Sequence, residues 1–526
     1  MTKESYCWIT FVVYSFIVIG MGIYSWHSKK QATKAHSNVE FWMAGRTIPG
    51  WALGISLASG WLMLGWISFG MSQIYAYGAT GLWLLPIPWF ILCIMVIFLV
   101  PFYRKVSAVS LPQAIGRRFG PGARYLTAIL SFLVFLSWTG AELVIVKSLA
   151  APLLGVEDKY AIIVPLLFCI PILIYTVLGG FRAIIRTDLI QFVIMAVFML
   201  ILGGWAYSQA SSIAPEGIIE GIKGFPPPWA AENESLNLNF LGWIFPVTLL
   251  VGYLPGWLIE QDLTLRIQAA PTTKQARIGA VLGFILITIF IIVIPSFVAF
   301  MAMIVFKDPT AIGSDYTGII SAFISQMPGW LSVIMFLGLI SCQMSTVDTF
   351  SNVTAMPLAY DLVEPLMLKE KRHLVSLVSR SITAIAIILA FIYALWAETL
   401  GDVYYISSGV LSAAIAVPAI AIFWKRANTP GVIISSIFGA ISTIAMYLWE
   451  YKALQYTNPE KANYYTKILP AWLAGGYGYL YIGTGVITAV IALVIVSLCT
   501  KKPSDKQLSV VLHDPIDGAD TIKEVS

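Results

Sequence analysis

The chain has 526 residues, of which 58% are hydrophobic and 11% are charged, and its net charge at pH 7 is +5. Soluble domains carry about 25% charged residues, so this composition excludes a water-soluble protein and predicts an all-α polytopic membrane protein. The sequence contains no nucleotide-binding loop and no cluster with metal-ligand spacing, which argues against an enzyme and against a nucleic-acid partner.

Thirteen apolar windows of about 20 residues follow one another, each long enough to cross a bilayer as a helix. They predict transmembrane helices at 6–26, 48–76, 79–103, 123–150, 160–181, 184–207, 238–258, 278–306, 329–360, 374–399, 402–424, 430–450 and 470–499. The first window is too long for a signal-peptide core and is followed by HSKK, which predicts a retained helix with its N-terminus outside. Thirteen crossings place the C-terminus in the cytoplasm, and most of the 32 lysines and arginines then face the cytoplasm of a cell (plasma or inner) membrane.

Two windows contain helix-breaking residues near mid-depth, each with a Gly-Trp step. The second window reads GISLASGWLMLG (54–65), and the seventh reads FPVTLLVGYLPGW (245–257). Transporters built from inverted repeats unwind a matching helix in each half at the substrate site. The pair favours that arrangement, although glycine and proline are also common in ordinary membrane helices.

The ninth window contains the polar stretch SCQMSTVDTFSN (341–352). Helical spacing puts Ser345, Thr346 and Thr349 on one face with Cys342, and Asp348 borders that face. Hydroxyls together with freed backbone carbonyls suit sodium. The alternative is that the serine and threonine hydroxyls bond to the carbonyl four residues before them, as is routine in membrane helices.

Four motifs occur in an order that resembles the sodium/solute symporter family. The fifth window ends YTVLGGFRA and is followed by IIRTDLIQ, GWLIEQDLTLRIQAA follows the seventh, MSTVD lies in the ninth, and FWKRAN closes the eleventh. The resemblance covers about residues 5–500. It implies a LeuT-type fold of two inverted five-helix repeats with extra terminal helices, and inward transport of a solute with sodium by alternating access. Proline-, pantothenate- and choline-like branches all stay open.

On this fold the chain divides into six segments. They are an N-terminal helix and cytoplasmic loop (1–47), the first repeat (48–207), an external loop (208–237), the second repeat (238–425), two C-terminal helices (426–500) and a disordered cytoplasmic tail (501–526). The predicted partners are a small solute, sodium and the lipid bilayer, with a monomer as the functional unit. No cofactor besides the coupling ion is expected.

The resemblance implies a sodium site on the polar stretch. Ser345 and Thr346 would supply side-chain oxygens, and Cys342 a backbone carbonyl. The broken second window would add the carbonyls of Ile55 and Ala58.

A second cation site is implied by Asp188 in RTDLIQ, whose partners would be Asp348 and Thr349. Many family members have serine in place of Asp348. Two neighbouring carboxylates need a cation or a shared proton, so this site is predicted to hold sodium or a proton. The alternative is that Asp188 pairs with Arg182 or Arg186.

The resemblance places the solute between the two breaks and beside the fourth window. The candidate residues are Ser59, Gly60, Trp61, Trp138, Glu142, Tyr253, Trp257 and Gln261. Aromatic rings with a carboxylate suit an amine or zwitterion through cation–π contacts, while an amino acid or a vitamin-like carboxylate also fits the family. Trp138 and Glu142 could instead be structural, with Glu142 paired to Lys147.

Negative features narrow the solute. The third window (79–102) has no charged or amide side chain, which disfavours a sugar, and Leu57 stands where the proline branch carries an acid. A proton-coupled symporter or a solute sensor of the same fold remains an alternative. A major-facilitator transporter fits thirteen spans poorly, and no filter loop suggests a channel.

Overall fold

Every regular element in the described part of the chain is helical. The computed structural model describes residues 2–32, 42–106, 108–225, 235–239, 241–313, 315–367, 374–396, 400–450 and 480–508. The first helices are α1 (Lys3–Ala32), α2 (Gly50–Trp61), α3 (Leu64–Tyr77), α4 (Pro86–Lys105), α5 (Leu111–Phe119), α6 (Pro121–Ala150), α7 (Ile163–Gly179), α8 (Phe181–Ile213) and α9 (Ile218–Lys223).

The described part of the second half contains ten further helices, three of which include a π-helical turn. They are α10 (Ile244–Leu258), α11 (Gln261–Ala269), α12 (Thr273–Val305), α13 (Ile319–Ser325), α14 (Gly329–Met367), α15 (Val375–Trp396), α16 (Leu400–Val410, continuing to Val417–Ala421), α17 (Thr429–Leu448), α18 (Leu480–Cys499) and α19 (Asp505–Leu508). The π-helical turns are Thr288–Val293 in α12, Pro357–Val363 in α14 and Leu411–Ala416 in α16.

The described residues contain ten helices that are long and apolar enough to cross a membrane, and a bent pair raises the number to eleven. Two shorter apolar helices, Ile163–Val177 and Ile244–Leu258, accompany them. The all-α polytopic class is therefore confirmed. The count of thirteen spans, the inverted repeats and the side of each terminus stay predictions, and the predicted tail lies outside the described residues beyond residue 508.

Polar side chains cap the start of three helices. Ser110 accepts a hydrogen bond from the backbone N–H of Gln113 and so caps α5, the short helix that the amphipathic sequence SLPQAIGRRFG contains. Thr272 caps α12 and Asn428 caps α17 in the same way. Each side chain satisfies one backbone donor that a helix start leaves unpaired.

The first predicted helix break is present between α2 and α3. The two helices are bent by 60° at Leu62 and Met63, whose backbones leave the helical region. Helix α2 also packs closely against α12. A Cβ on Gly54 would lie 2.7 Å from the Gly279 carbonyl of α12. Small residues allow this approach of two helix backbones, as at many membrane helix interfaces.

The second break lies later than the sequence indicates. Helix α10 runs through Pro255 to Leu258, and the chain then continues as α11 after Ile259 and Glu260. The predicted window 238–258 and α10 end at the same residue, and the break follows it. Hydropathy misses α11 because QDLTLRIQA is polar, yet most of its side chains are buried inside the protein, where polar groups can find partners.

Candidate functional site

The two breaks meet through a hydrogen bond between their ends. The indole N–H of Trp61, the last residue of α2, donates to Asp262 of α11 at 2.9 Å. Helices α8 and α14 pack against this region and bring further polar side chains. The site is thus built from two interrupted helices and two continuous ones.

The predicted sodium ligands on α14 face the first break. Ser345 Oγ lies 2.8 Å from Ser59 Oγ of α2 and donates to Asp188 at 2.6 Å. Thr346 Oγ1 lies 3.4 Å from the carbonyl of Leu62, which is one of the two break residues. Hydroxyl, carbonyl and carboxylate oxygens therefore converge here, and such a set is able to hold sodium.

Thr346 also makes the hydrogen bond within its own helix that the sequence analysis gave as the alternative to sodium binding. Thr346 donates to the Cys342 carbonyl at 2.9 Å, which is the bond to the carbonyl four residues before it. Both Cys342 and Ala58 are buried, whereas Ile55 is partly exposed. Ile55 and Ala58 lie in the last two turns of α2, on the N-terminal side of the break. Their part in binding sodium stays a prediction.

Asp188 is paired with a residue that the sequence analysis did not consider. Its carboxylate accepts hydrogen bonds from Ser56 and Ser345 and lies 3.4 Å from the guanidinium of Arg266 on α11. Arg182 donates to the Ala44 carbonyl at 2.9 Å, and Arg186 lies over the ring of Tyr24. The predicted pairing of Asp188 with Arg182 or Arg186 is therefore replaced by a pairing with Arg266.

The Arg266 guanidinium makes four contacts, which join four helices. It forms a very close ion pair with Asp262 of its own helix and donates to Ser56 of α2 at 3.1 Å. It also lies 3.3 Å from Thr349 Oγ1 of α14 and within reach of Asp188 of α8. We call Arg266, Asp262, Asp188, Ser56 and Thr349 the arginine cluster. Its guanidinium supplies a positive charge where the sequence predicted a mobile cation.

Asp348 faces a different neighbour. It is fully buried and accepts a hydrogen bond from the hydroxyl of Tyr175 at 2.7 Å. That hydroxyl also lies 3.0 Å from the Met344 carbonyl. The Oδ1 atom of Asp348 has no hydrogen-bond partner among the described residues. A cation shared by Asp348, Thr349 and Asp188 stays a prediction, which the charge of Arg266 now complicates.

Several of the predicted solute residues surround a small cavity at the two breaks, which in this conformation has space for about one water molecule. We call it the tryptophan cavity. Its lining residues are Trp61, Met63, Trp66, Trp89, Trp138, Trp257 and Glu260.

The rings of the tryptophan cavity contact one another in a continuous set. Trp66 lies 5.8 Å from Trp257 and 6.4 Å from Trp138, and Trp61 lies 5.7 Å from Trp89, measured between ring centroids. Tyr253, which was also predicted, stacks on Trp257 at 4.7 Å. Three of the eight predicted solute residues thus line the cavity, and a fourth supports it.

Glu142 has a structural partner set. Its buried carboxylate accepts from the backbone N–H of Gly65, at 3.1 and 3.3 Å from its two oxygens, and from the hydroxyl of Tyr404. Gly65 is the second residue of α3, so the carboxylate caps the helix that follows the first break. Lys147 is exposed, and the suggested pairing of Glu142 with Lys147 is replaced by this cap.

The remaining three predicted solute residues do not line the cavity. Ser59 contacts Ser345, as described above. Gly60 lies against the arginine cluster, because a Cβ added there would be 2.9 Å from a guanidinium nitrogen. The amide of Gln261 accepts from the Leu111 N–H at 3.0 Å and lies 3.4 Å from the Val109 carbonyl, beside the start of α5.

Sequence reasoning missed Trp89, Glu260 and Arg266. Trp89 lies in a window noted only for lacking polar side chains. The two charged residues are visible in GWLIEQDLTLRIQAA, but that stretch was placed after the seventh span. Charged residues beside a predicted membrane break were the available signal.

Similarity to known proteins covers most of the chain. A family model described as the sodium:solute symporter family matches residues 41–439. The sodium/glucose cotransporter of Vibrio parahaemolyticus is 24% identical, with 84% of each chain covered. The sodium/sialic acid symporter of Aliivibrio fischeri is also 24% identical, with 84% of this chain and 87% of the relative covered.

Solved structures agree at the level of the fold. A Na+-coupled sialic acid symporter in a substrate-bound, outward-open state superposes with a TM-score of 0.70 at 16% identity, covering 95% of this chain and 99% of the other. A closed, ligand-bound transporter of the nucleobase-cation-symport-1 family gives a TM-score of 0.50 at 12% identity, covering 90% and 98%.

Proposed function

Because the chain belongs to the sodium:solute symporter family, a family of membrane transporters and not of enzymes, we propose that it carries a small organic solute into the cell with sodium. Sodium is the coupling ion of such symporters. The proposal rests on one observation above all: hydroxyl and carboxylate oxygens of α8 and α14 converge on the break between α2 and α3. Interrupted helices near the middle of the membrane are where such transporters bind ion and solute.

Our proposal extends to the arrangement in the membrane. Thirteen spans form two inverted five-helix repeats, over 48–207 and 238–425, with an external N-terminus and a cytoplasmic C-terminus in the cell membrane. The two broken helices, α2–α3 and α10–α11, are the corresponding members of the two repeats. A single chain is the functional unit. Support comes from the matching position of each break in its repeat.

The sodium ion is bound by five residues in our proposal. Ser345 and Thr346 contribute hydroxyls, while Ile55, Ala58 and Cys342 contribute carbonyls. The contacts of Ser345 with Ser59 and Asp188 support this, since they hold the hydroxyl at the break. Asp188, Asp348 and Thr349 form a second cation region in which Arg266 carries a permanent charge.

The solute occupies the space around the breaks, beside Trp61, Trp138, Tyr253 and Trp257. Glucose and sialic acid appear in the names of the relatives, but the aromatic lining found here favours an amine or a zwitterion instead.

Uptake into proteoliposomes tests the function. We expect a solute identified by a binding screen to accumulate when sodium is high outside, and not when potassium replaces it. Ser345→Ala should raise the sodium concentration needed for half-maximal uptake by at least about tenfold, because one hard-oxygen ligand is lost. Ser351→Ala on the same helix is the matched control, since that hydroxyl bonds only to the Val347 carbonyl in the described contacts. Sodium-independent uptake, or uptake driven by a proton gradient alone, would contradict the proposal.

A further inference from the structure

Glu260 is a buried acid that belongs neither to the arginine cluster nor to the helix cap of Glu142. It lies at the second break, where its backbone is extended (φ −51°, ψ 134°), and its side chain does not cap α11. The residue is 4% exposed and lines the tryptophan cavity. Its Oε1 atom has no hydrogen-bond partner in the described parts of the chain. A carboxylate in this setting is ionised only at a large desolvation penalty unless a cation neutralises it.

The guanidinium on the same helix is engaged elsewhere. Arg266 donates to Asp262, Ser56, Asp188 and Thr349. Within the described ranges no ion pair includes Glu260. A cationic ligand, or a proton on the carboxyl group itself, would then have to neutralise Glu260.

The rest of the cavity suits a cation. Five tryptophans line it, and the indole is the aromatic side chain that attracts a cation most strongly. Trp61 and Trp138 use their N–H groups outside the cavity, on Asp262 and on Ser407 at 2.6 Å. They therefore offer ring surface to the cavity and not hydrogen-bond donors.

At the first break, the place that would bind a carboxylate of the solute is already taken by a side chain of the protein. The first backbone N–H groups of a helix such as α3 have no partner within the helix, and the helix start carries a partial positive charge. Both features attract an anion. Glu142 already accepts from the Gly65 N–H there. The protein's own acid thus occupies the point where a solute carboxylate would gain most.

We propose that the tryptophan cavity binds an organic ammonium group with Glu260 as its counter-charge, and that the preferred solute carries no carboxylate. This inference rests on the proposed transport function and narrows its substrate class. Glu260 is the specificity-determining residue, and the five tryptophans that line the cavity contact the cationic head.

The probes are three small molecules of similar shape, tested on the purified full-length chain. Tetramethylammonium is the cation, trimethylglycine adds a carboxylate to the same head, and tert-butanol is uncharged. Binding is measured by quenching of tryptophan fluorescence and by the shift in Tm, in sodium buffer. We expect tetramethylammonium to bind most tightly, trimethylglycine more weakly by at least about tenfold, and tert-butanol not at all.

Substitutions then locate the cation. Glu260→Gln should weaken tetramethylammonium binding by at least about tenfold, and Glu260→Asp should restore part of it. Glu450→Gln is the matched control, because Glu450 is a buried acid at the start of α18 and accepts from the N–H groups of Leu480 and Tyr481. Its removal should leave the affinity unchanged.

The outcomes separate this inference from the transport function. The inference is overturned if tert-butanol binds as well as the cation, if trimethylglycine binds more tightly, if Glu260→Gln has no effect, or if no ion from methylammonium to tetramethylammonium binds. Sodium binding is followed separately, as the Tm shift caused by sodium without solute. A sodium shift without cation binding contradicts only the inference, whereas cation binding without any effect of sodium contradicts only the coupling.

Discussion

At the break between α2 and α3, the acidic side chain is Glu142, which comes from α6 and accepts hydrogen bonds from Gly65 and Tyr404. At the break between α10 and α11, the acid is Glu260, which belongs to the break itself and leaves Oε1 without a partner in the described structure. A fully bonded acid holds two helices together. An acid without a partner is costly in the empty protein and becomes favourable when a ligand supplies the missing charge.

The second break also differs from the first in the charged contacts of the helix that follows it, α11. One and a half turns along α11, Arg266 connects that helix to α2, α8 and α14 through the arginine cluster. The same short helix therefore carries a paired acid, Asp262, in its first turn and follows an acid, Glu260, whose Oε1 has no partner among the described residues. The first break is thus held by contacts within the protein, whereas at the second break the carboxylate of Glu260 is open to the proposed ligand.

The largest effect is expected from Arg266→Met. It leaves Asp188 and Asp262 buried without their counter-charge, which costs about 3–5 kcal/mol of unfolding free energy. Thermal unfolding in detergent measures this. Arg277→Met, at an exposed position of α12, is the control and should change stability by about 0.5 kcal/mol or less. Wild-type stability of Arg266→Met would mean that another group neutralises both acids.

A matched pair of substitutions tests the contrast between the two acids directly. In the solute-free protein, Glu142→Ala should lose about 1.5–3 kcal/mol, because the Gly65 N–H and the Tyr404 hydroxyl lose a charged acceptor. Glu260→Ala should leave stability unchanged or raise it, because it removes a buried acid whose Oε1 has no partner among the described residues. Unfolding of both variants is compared without solute. Equal losses would contradict the difference between the breaks.

A smaller loss is expected from Gly65→Ala. An added Cβ would lie 2.3 Å from the Tyr404 hydroxyl oxygen and 2.7 Å from Glu142 Oε1, so the cap must shift. Such overpacking costs about 1–3 kcal/mol. Gly204→Ala is the control, because nothing lies within 4 Å of its added Cβ. If Gly65→Ala unfolds at the wild-type Tm, then the capping contact does not hold the first break.

The smallest effect is expected from Gln261→Ala. The sequence predicted a solute ligand, whereas the amide contacts Leu111 and Val109 near α5. We expect a loss of about 1 kcal/mol in stability and an unchanged solute affinity. Unfolding and fluorescence titrations on the same sample measure the two. A loss of solute affinity at unchanged stability would instead support the prediction that Gln261 binds the solute at the second break.

The sequence predicted features that depend on local pattern. The glycines in GISLASGWLMLG predicted the first break. The spacing of Ser345 and Thr346 predicted a polar helix face, and Thr346 on that face contacts Leu62 at the break. Features that depend on distant partners were out of reach. Asp188 and Arg266 are 78 residues apart, and no local pattern relates them. Likewise, closeness in sequence to a break could not reveal that Gly60 and Gln261 face away from the tryptophan cavity.

Arg266 is part of the polypeptide, so its positive charge is not transported, and this affects how much charge crosses the membrane in each cycle. In the proposed transport cycle its positive charge stays on α11, whereas sodium and the proposed ammonium solute would both cross the bilayer. One sodium with one monovalent cation moves two elementary charges inward, which corresponds to about 4.6 kcal/mol at a potential of 100 mV. Membrane voltage would then contribute twice as much per solute as it does for a neutral solute moved with one sodium. The ratio of current to solute flux therefore reports the charge of the cargo.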